Sequence, residues 1–380
     1  MSLLAAHIND AGISVLSAER VLYREPGFAL LDDDELTTGA QAFEKARIKP
    51  RRIHNRFWSE LTTDALTDRR FQHLSAADLV SRQLEQVWNA VAGSGDRLVV
   101  AVPAYMTGDN LGLFLGIANE LGVPVAGLVD AAVAATRREY QGAVPVHVDL
   151  GLHVATLSRL RQNGQAQLDR SVVIESAGML SLYDAWIRVI SDAFVKQSRF
   201  DPLHTAETEQ LLLDRLGGWL GVASANDRLA LEIEFRGIAH SAELESLDLV
   251  AAAAPVYQRI ASQLRAIYRA EETPAIQLSD RAARMPGLAD MLAARVGGEI
   301  FLLEPGATAR GLLTRCRDMQ RGDGGVTLIR QLPWDQSPVS IDKGEAPVTA
   351  GQPTHLLFEN TAYPVDGRTL LMGSQPVPGE

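Results

Sequence analysis

Two short turns, Asp10-Ala11-Gly12 and Asp149-Leu150-Gly151, each follow an apolar run and set a carboxylate close to a glycine. Both aspartates suit a hydrated cation, because a hard cation takes oxygen ligands. The same residue type also simply forms turns, through its side-chain oxygen and its tolerance of unusual backbone angles. His153, next to the second turn, is either an anion contact or a partly buried structural histidine. Arg51, Arg52 and Arg56 form a basic cluster that reads as an anion site or as a solvated face.

Other chemistries lack their motifs. No Gly-x-Gly-x-x-Gly follows a strand and no Gly-x-x-x-x-Gly-Lys-Ser/Thr occurs, so neither standard phosphate cradle is present. The eight histidines are scattered without a His-x-x-x-His pair, and no Gly-x-Ser-x-Gly elbow supports a hydrolase triad. The single cysteine, Cys316, falls in a helical stretch and excludes an internal disulfide or a multi-cysteine zinc cage.

The elements that must position the two turns follow from periodicity. Leu3 to Ile8 and Ile13 to Leu16 read as strands around Asp10-Ala11-Gly12, and Val21 to Leu31 as more strand and turn. Asp32 to Glu35 reads as a solvated loop. Ser75 to Ala92 is helical, with Leu79, Leu84, Val87 and Val91 on one face and Gly93-Ser94-Gly95 as its stop. Arg97 to Pro103, Asp109 to Leu121 and Val123 to Leu128 then read as strand, helix and strand, a parallel βαβ unit. Asp130 to Tyr140 is predicted as a helix capped by Asp130. Val144 to Leu150 is a strand ending in the second acidic turn, and Ala155 to Leu160 a strand leading to an Asn163-Gly164 hairpin. Helices are expected over Ser181 to Val195, Glu207 to Leu220 and Pro255 to Ala270, the last with proline in its first turn. Arg228 to Phe235 and Glu299 to Leu303 read as strands, the latter entering the Gly306 turn and a helix from Thr308. Pro353 to Gly373 reads as two strands around Asp366-Gly367. No internal repeat is visible.

The order of these segments resembles the actin-like ATPase superfamily, and most of all the nucleotide-binding domain of the seventy-kilodalton heat-shock chaperones. Arg51-Arg52-Ile53-His54-Asn55-Arg56-Phe57, Val100-Ala101-Val102-Pro103-Ala104-Tyr105, Leu121 to Val125 with Asp130 to Ala135, and Leu231 to Ile238 carry the likeness, which runs from about Leu3 to Leu313. The resemblance implies an α/β, two-lobed fold of ribonuclease H-like lobes. Lobe I would span 1–143 and lobe II 144–320, with a β-rich tail over 321–380. It implies ATP and magnesium as possible ligands. Gly12, Ser14, Gly151, His153 and Gly306 would then contact the cofactor, and Asp10 and Asp149 the metal. Asp10, Arg51, Asp130 and Asp149 would be the catalytic candidates.

At the chemical positions the chain departs from that family. Leu152, His153 and Val154 replace the glycines and threonine after the second turn, Ile13 and Ser14 replace paired threonines, and Arg51 stands for the assisting lysine. Gly217 and Gly218 stand where side chains would hold adenine, and the adenosine glycines fall at Glu304-Pro305 or Pro305-Gly306. The expectation is a chaperone-like body with an eroded nucleotide site and an interaction or regulatory role with protein partners. A divergent ATP-binding ATPase or phosphotransferase is the alternative.

Composition bounds the rest. The 380 residues are 46% apolar and 22% charged, with a net charge of -11. That balance fits a globular chain and argues against a nucleic-acid surface. No apolar run approaches a membrane span and the first residues lack a secretory signal, so a cytoplasmic location is expected.

Overall fold

The computed structural model describes residues 2–32, 35–223, 226–317, 319 and 325–341, together with short strands beyond residue 354. Two compact units divide the chain, Met1–Val339 and Ser340–Glu380. The first is a mixed α/β unit built on two six-stranded sheets.

In the first sheet, β1 (Leu3–His7), β2 (Ile13–Leu16) and β3 (Val21–Glu25) form an antiparallel meander. The chain then leaves through a separate three-stranded sheet of β4 (Ala29–Asp32), β5 (Glu35–Thr38) and β6 (Ile53–His54), with the short α1 (Ala40–Phe43) between. It returns along α2 (Ala76–Val91) to β7 (Arg97–Val102), which pairs in parallel with β1. A crossover helix, α3 (Gly108–Glu120), leads to the parallel β8 (Val125–Asp130). Ser75 and Asp78 form a capping box at the start of α2, and Thr107 and Asn110 one at α3, satisfying backbone donors that a helix start leaves open.

The helix α4 (Ala131–Ala135) and the short β9 (Tyr140–Gln141) lead into the second sheet. There β10 (Val144–Leu150), β11 (Val154–Gln162) and β12 (Gln165–Glu175) form another antiparallel meander. Beyond it come α5 (Met179–Ser198), α6 (Ala206–Ala223), the hairpin of β13 (Arg228–Phe235) and β14 (Ile238–Glu245), and α7 (Ser246–Ile267). The chain then enters β15 (Pro274–Leu278), parallel to β10, and passes through α8 (Leu288–Val296) to β16 (Glu299–Leu302), parallel to β15. Five strands of each sheet therefore run in one order, a three-strand meander extended by two parallel strands on the side of its first strand. This repeat is structural: no repeated residues announce it.

Each sheet also sends its last helix to the other. Following β8, α4 packs on β11 and β12, while α9 (Ala307–Arg315), following β16, packs on β1 and β7. The two helices touch at Gly311, where a Cβ would lie 2.0 Å from the Ala134 carbonyl oxygen. Ala5, Val99, Ala101, Ala131 to Ala134, Leu160, Ala309 and Leu312 make this a continuous buried layer. Separate apolar clusters cover the far faces, with α2 and α3 on the first sheet and α5 to α8 on the second.

Several expectations change. The predicted helix over Asp130 to Tyr140 ends at Ala135, where the Thr136 hydroxyl donates back to the Ala132 carbonyl at 2.8 Å. Helix α7 begins at Ser246, so Pro255 lies inside it rather than in its first turn. Asp32 is no loop residue: it closes β4 and pairs with Lys49 and Arg52. Residues 328–333, expected in the tail, supply β17 (Leu328–Ile329) beside β8 and β18 (Gln331–Pro333) beside β12. In the second unit His355–Phe358 pairs with Thr361–Pro364 and Leu370–Met372 with Gln375–Val377. Pairing thus stays on either side of Asp366-Gly367, which lies outside the described residues. Among the described residues no helix is long and apolar enough to cross a membrane.

Candidate functional site between the two sheets

The acidic turns lie at the carboxyl ends of β1 and β10, the equivalent central strands of the two sheets. Strand carboxyl ends are where open α/β sheets usually take ligands. The turns meet across the interface. Asn9 Nδ2 donates to Asp149 Oδ2 at 2.7 Å and to the Leu150 carbonyl at 3.2 Å, and the Leu152 N–H donates to Asp10 Oδ1 at 2.8 Å. A Cβ on Gly151 would lie 2.7 Å from Asp10 Oδ1, so glycine is required for this approach.

A third turn, Ser279-Asp280-Arg281 at the carboxyl end of β15, completes the cluster. Arg281 is buried, 8% exposed; its Nη1 donates to the Gly12 carbonyl at 3.3 Å and its Nη2 lies 3.5 Å from Asp149 Oδ2. His7 Nε2 lies 3.7 Å from the same carboxylate oxygen. The guanidinium thus stands as a built-in cation between the two acidic turns.

Burial and charge set the protonation of each group. Burial lifts the Asp10 carboxyl to about 6, against the opposing pull of the Leu152 N–H and Arg281. Burial alone would also raise Asp149, but Arg281, His7 and His147 outweigh it and hold that carboxyl below the usual carboxylate range. Burial, then repulsion from Arg281, lowers His7 to about 4, and burial lowers His147. The cluster therefore holds an Asp149–Arg281 ion pair, neutral imidazoles and a carboxyl poised near neutrality. Among the described residues, Asp10 Oδ2, His7 Nε2, His147 Nε2 and Arg281 Nε and Nη2 find no hydrogen-bond partner.

The predicted residues divide. Asp10, Gly12, Asp149 and Gly151 come together as described, while Ser14 and Gly306 line one small cavity with His7, Arg281, Ser279 and Thr308. That cavity has a volume of about 10 Å³, room for one water molecule. Gly306 has a left-handed backbone and faces Leu16, where it starts α9. His153 turns away to Asn55, its Nε2 3.0 Å from Asn55 Oδ1. Asp130 is a helix cap: Oδ1 accepts the N–H groups of Ala132 and Val133 at 3.0 and 3.2 Å, and burial raises its carboxyl to about 6. Arg51 sits exposed on the turn Pro50–Arg52, while Arg52 pairs with Asp32 and Arg56 with Glu60. Gly217 and Gly218 are exposed on α6.

These residues do not fit magnesium with a nucleotide. The Arg281 charge already neutralises Asp149, and a water-sized cavity remains where Ser14 and Gly306 meet. Among the described residues no group of three or more His, Cys, Asp or Glu side chains is arranged to hold a metal ion. Cys316 is buried and its thiol pushed up to about 11, so it is a packing residue rather than a nucleophile.

Sequence reading missed His7, His147 and Arg281. The available signal was the placement of Ser279-Asp280-Arg281 directly after Ala275 to Leu278, a short stretch apolar except at Gln277. No family model matches the chain, and no curated protein matches it.

Proposed function

We propose that the Met1–Val339 unit is an actin-like body, similar to the nucleotide-binding domain of the seventy-kilodalton heat-shock chaperones, that acts as a protein-interaction or regulatory module rather than a nucleotide hydrolase. The duplicated strand order supports the fold assignment, since two equivalent sheets exchanging helices α4 and α9 is what a pair of ribonuclease H-like lobes requires. The observation that carries the functional reading is Arg281. A buried guanidinium paired with Asp149 and bonded to the Gly12 carbonyl does the neutralising work of a cation between the two acidic turns. Isothermal calorimetry with ATP and magnesium tests it: absence of binding heat at millimolar nucleotide is expected, and micromolar binding with hydrolysis overturns it.

One observation favours the alternative of a divergent ATPase or phosphotransferase. Asp10 has an unpartnered carboxylate oxygen and a carboxyl lifted to about 6, values suited to a general base near neutral pH. Under that reading Asp149→Ala abolishes turnover, and an unchanged rate removes it.

A further inference from the structure

We infer that residues Val326–Val339 form a clasp that fixes the angle between the two large sheets, so that the acidic turns part only when the clasp lets go. The inference stands whether or not the space between the turns takes a nucleotide.

The clasp pairs with both sheets almost at once. Leu328 and Ile329 lie beside Leu128 and Val129, extending the first sheet in parallel. Gln331, Leu332 and Pro333 lie beside Gln167, Ala166 and Gln165, extending the second sheet in antiparallel fashion. Only Arg330 separates the two pairings, and its carbonyl accepts the Leu168 N–H at 2.8 Å. Two residues of chain span at most about 7 Å, so the sheet edges cannot draw apart there without breaking one ladder.

Side chains fasten the same segment. Leu332 is buried in the layer between the sheets and Trp334 packs against it. Asp335 accepts from Arg137 Nη2 and from the Thr314 hydroxyl, each at 2.6 Å, tying the clasp to the link between the sheets and to α9. The Asp335 and Gln336 N–H groups both reach the Arg137 carbonyl at 3.1 Å, and the Val339 N–H donates to the Glu139 carbonyl at 2.9 Å.

Apart from the clasp, the two halves are joined by the packed pair α4 and α9, by the hydrogen bonds of the acidic turns, and by Arg47, which pairs with Asp184 and Glu209. Packed helices slide and rotate in hinge and shear motions. The clasp crosses the same interface with a different type of bond, and a rotation that α4 and α9 tolerate would shear the β17 and β18 ladders. The Leu152 N–H, bonded to Asp10 across the interface, reports any opening.

Hydrogen exchange on the full chain tests the clasp. In the wild type, the Leu152 amide and the β17 and β18 amides should share one opening free energy and one urea dependence; a Leu152 amide that opens at lower free energy than the clasp overturns the inference. A four-residue Gly-Ser insertion between Arg330 and Gln331 slackens the tether while leaving both ladders possible. It should speed exchange at Leu152 by about tenfold or more with β1 and β10 still protected. A folded insertion variant in which only residues 326–339 exchange faster also overturns it, and the wild-type comparison decides the matter if the insertion variant fails to fold.

Discussion

Replacing Asp10 with asparagine isolates the cost of keeping a carboxyl at this interface. Folding lifts that carboxyl from 3.8 to about 6, chiefly by burial. At about 1.36 kcal/mol per pH unit, the ionised form is disfavoured in the folded state by about 3 kcal/mol. Below about pH 3 the folded and unfolded chains both carry the proton and the term vanishes. As pH rises from about 3 to about 6 the unfolded chain releases its proton first, so the folded state binds more protons and stability declines; above about 6 the full penalty persists. Asparagine keeps an oxygen for the Leu152 N–H and has no charge to desolvate. The unfolding free energy of Asp10→Asn minus that of the wild type should therefore rise by about 3 kcal/mol between about pH 3 and pH 7. Any fixed cost of the amide cancels in that comparison. Urea unfolding at stepped pH in the presence of a chelator, followed by the fluorescence of the buried Trp58 and Trp186, measures it. A difference that is flat in pH, or that falls, refutes the reasoning, because Asp10 would then be ionised at no cost in the folded chain.

Two further substitutions probe the same interface. Arg281→Gln strands a buried Asp149 carboxylate and should cost about 3–5 kcal/mol at neutral pH; it should also raise the His7 pKa, since Arg281 repels the imidazolium, and imidazole NMR would show that rise. Gly311→Ala drives a methyl group to 2.0 Å from the Ala134 carbonyl oxygen and should destabilise by about 3 kcal/mol or more in thermal unfolding. Gly112→Ala on α3, where a Cβ meets nothing within 4 Å, should instead stabilise by about 0.5–1 kcal/mol.

Much of the fold was legible because its strands are short apolar runs bounded by turn residues. β1, β2, β7 and β10 all lie where the pattern puts them, and Gly164 supplies the positive φ that the Asn163-Gly164 hairpin needs. The failures have local causes. Proline normally starts a helix because it lacks an N–H, but Pro255 faces solvent, as does Ala251 one turn earlier. Water can satisfy the Ala251 carbonyl that loses its partner, and α7 runs through. β15 went unread because Pro274 opens it and Gln277 interrupts four apolar positions. Gln277 is fully buried, with its Oε1 3.0 Å from the Thr136 hydroxyl oxygen, a tertiary contact that no window of sequence contains. Arg281 was lost with that strand, since a lone arginine after an unrecognised element carries no motif.

The duplicated strand order explains how the candidate site is filled. β7 and β15 hold equivalent places, each parallel to the central strand that carries an acidic turn. The chain leaving β7 supplies Tyr105, whose hydroxyl oxygen accepts the Asp10 N–H at 3.2 Å. The chain leaving β15 supplies Arg281, which reaches Asp149 and the Gly12 carbonyl. One long side chain from each half therefore leans on an acidic turn from the equivalent strand end. Gly151 lies against the first of these, where a Cβ would come within 3.6 Å of the Tyr105 ring and 2.7 Å of Asp10. The cavity beside Arg281 is about 10 Å³, so room for a larger ligand there would come from moving Arg281 or from parting the sheets. The first strands Asp149 at a cost of several kcal/mol, and the second must break the β17 or β18 ladder. The Arg281 contacts and the two ladders thus act in the same direction, both holding the acidic turns together.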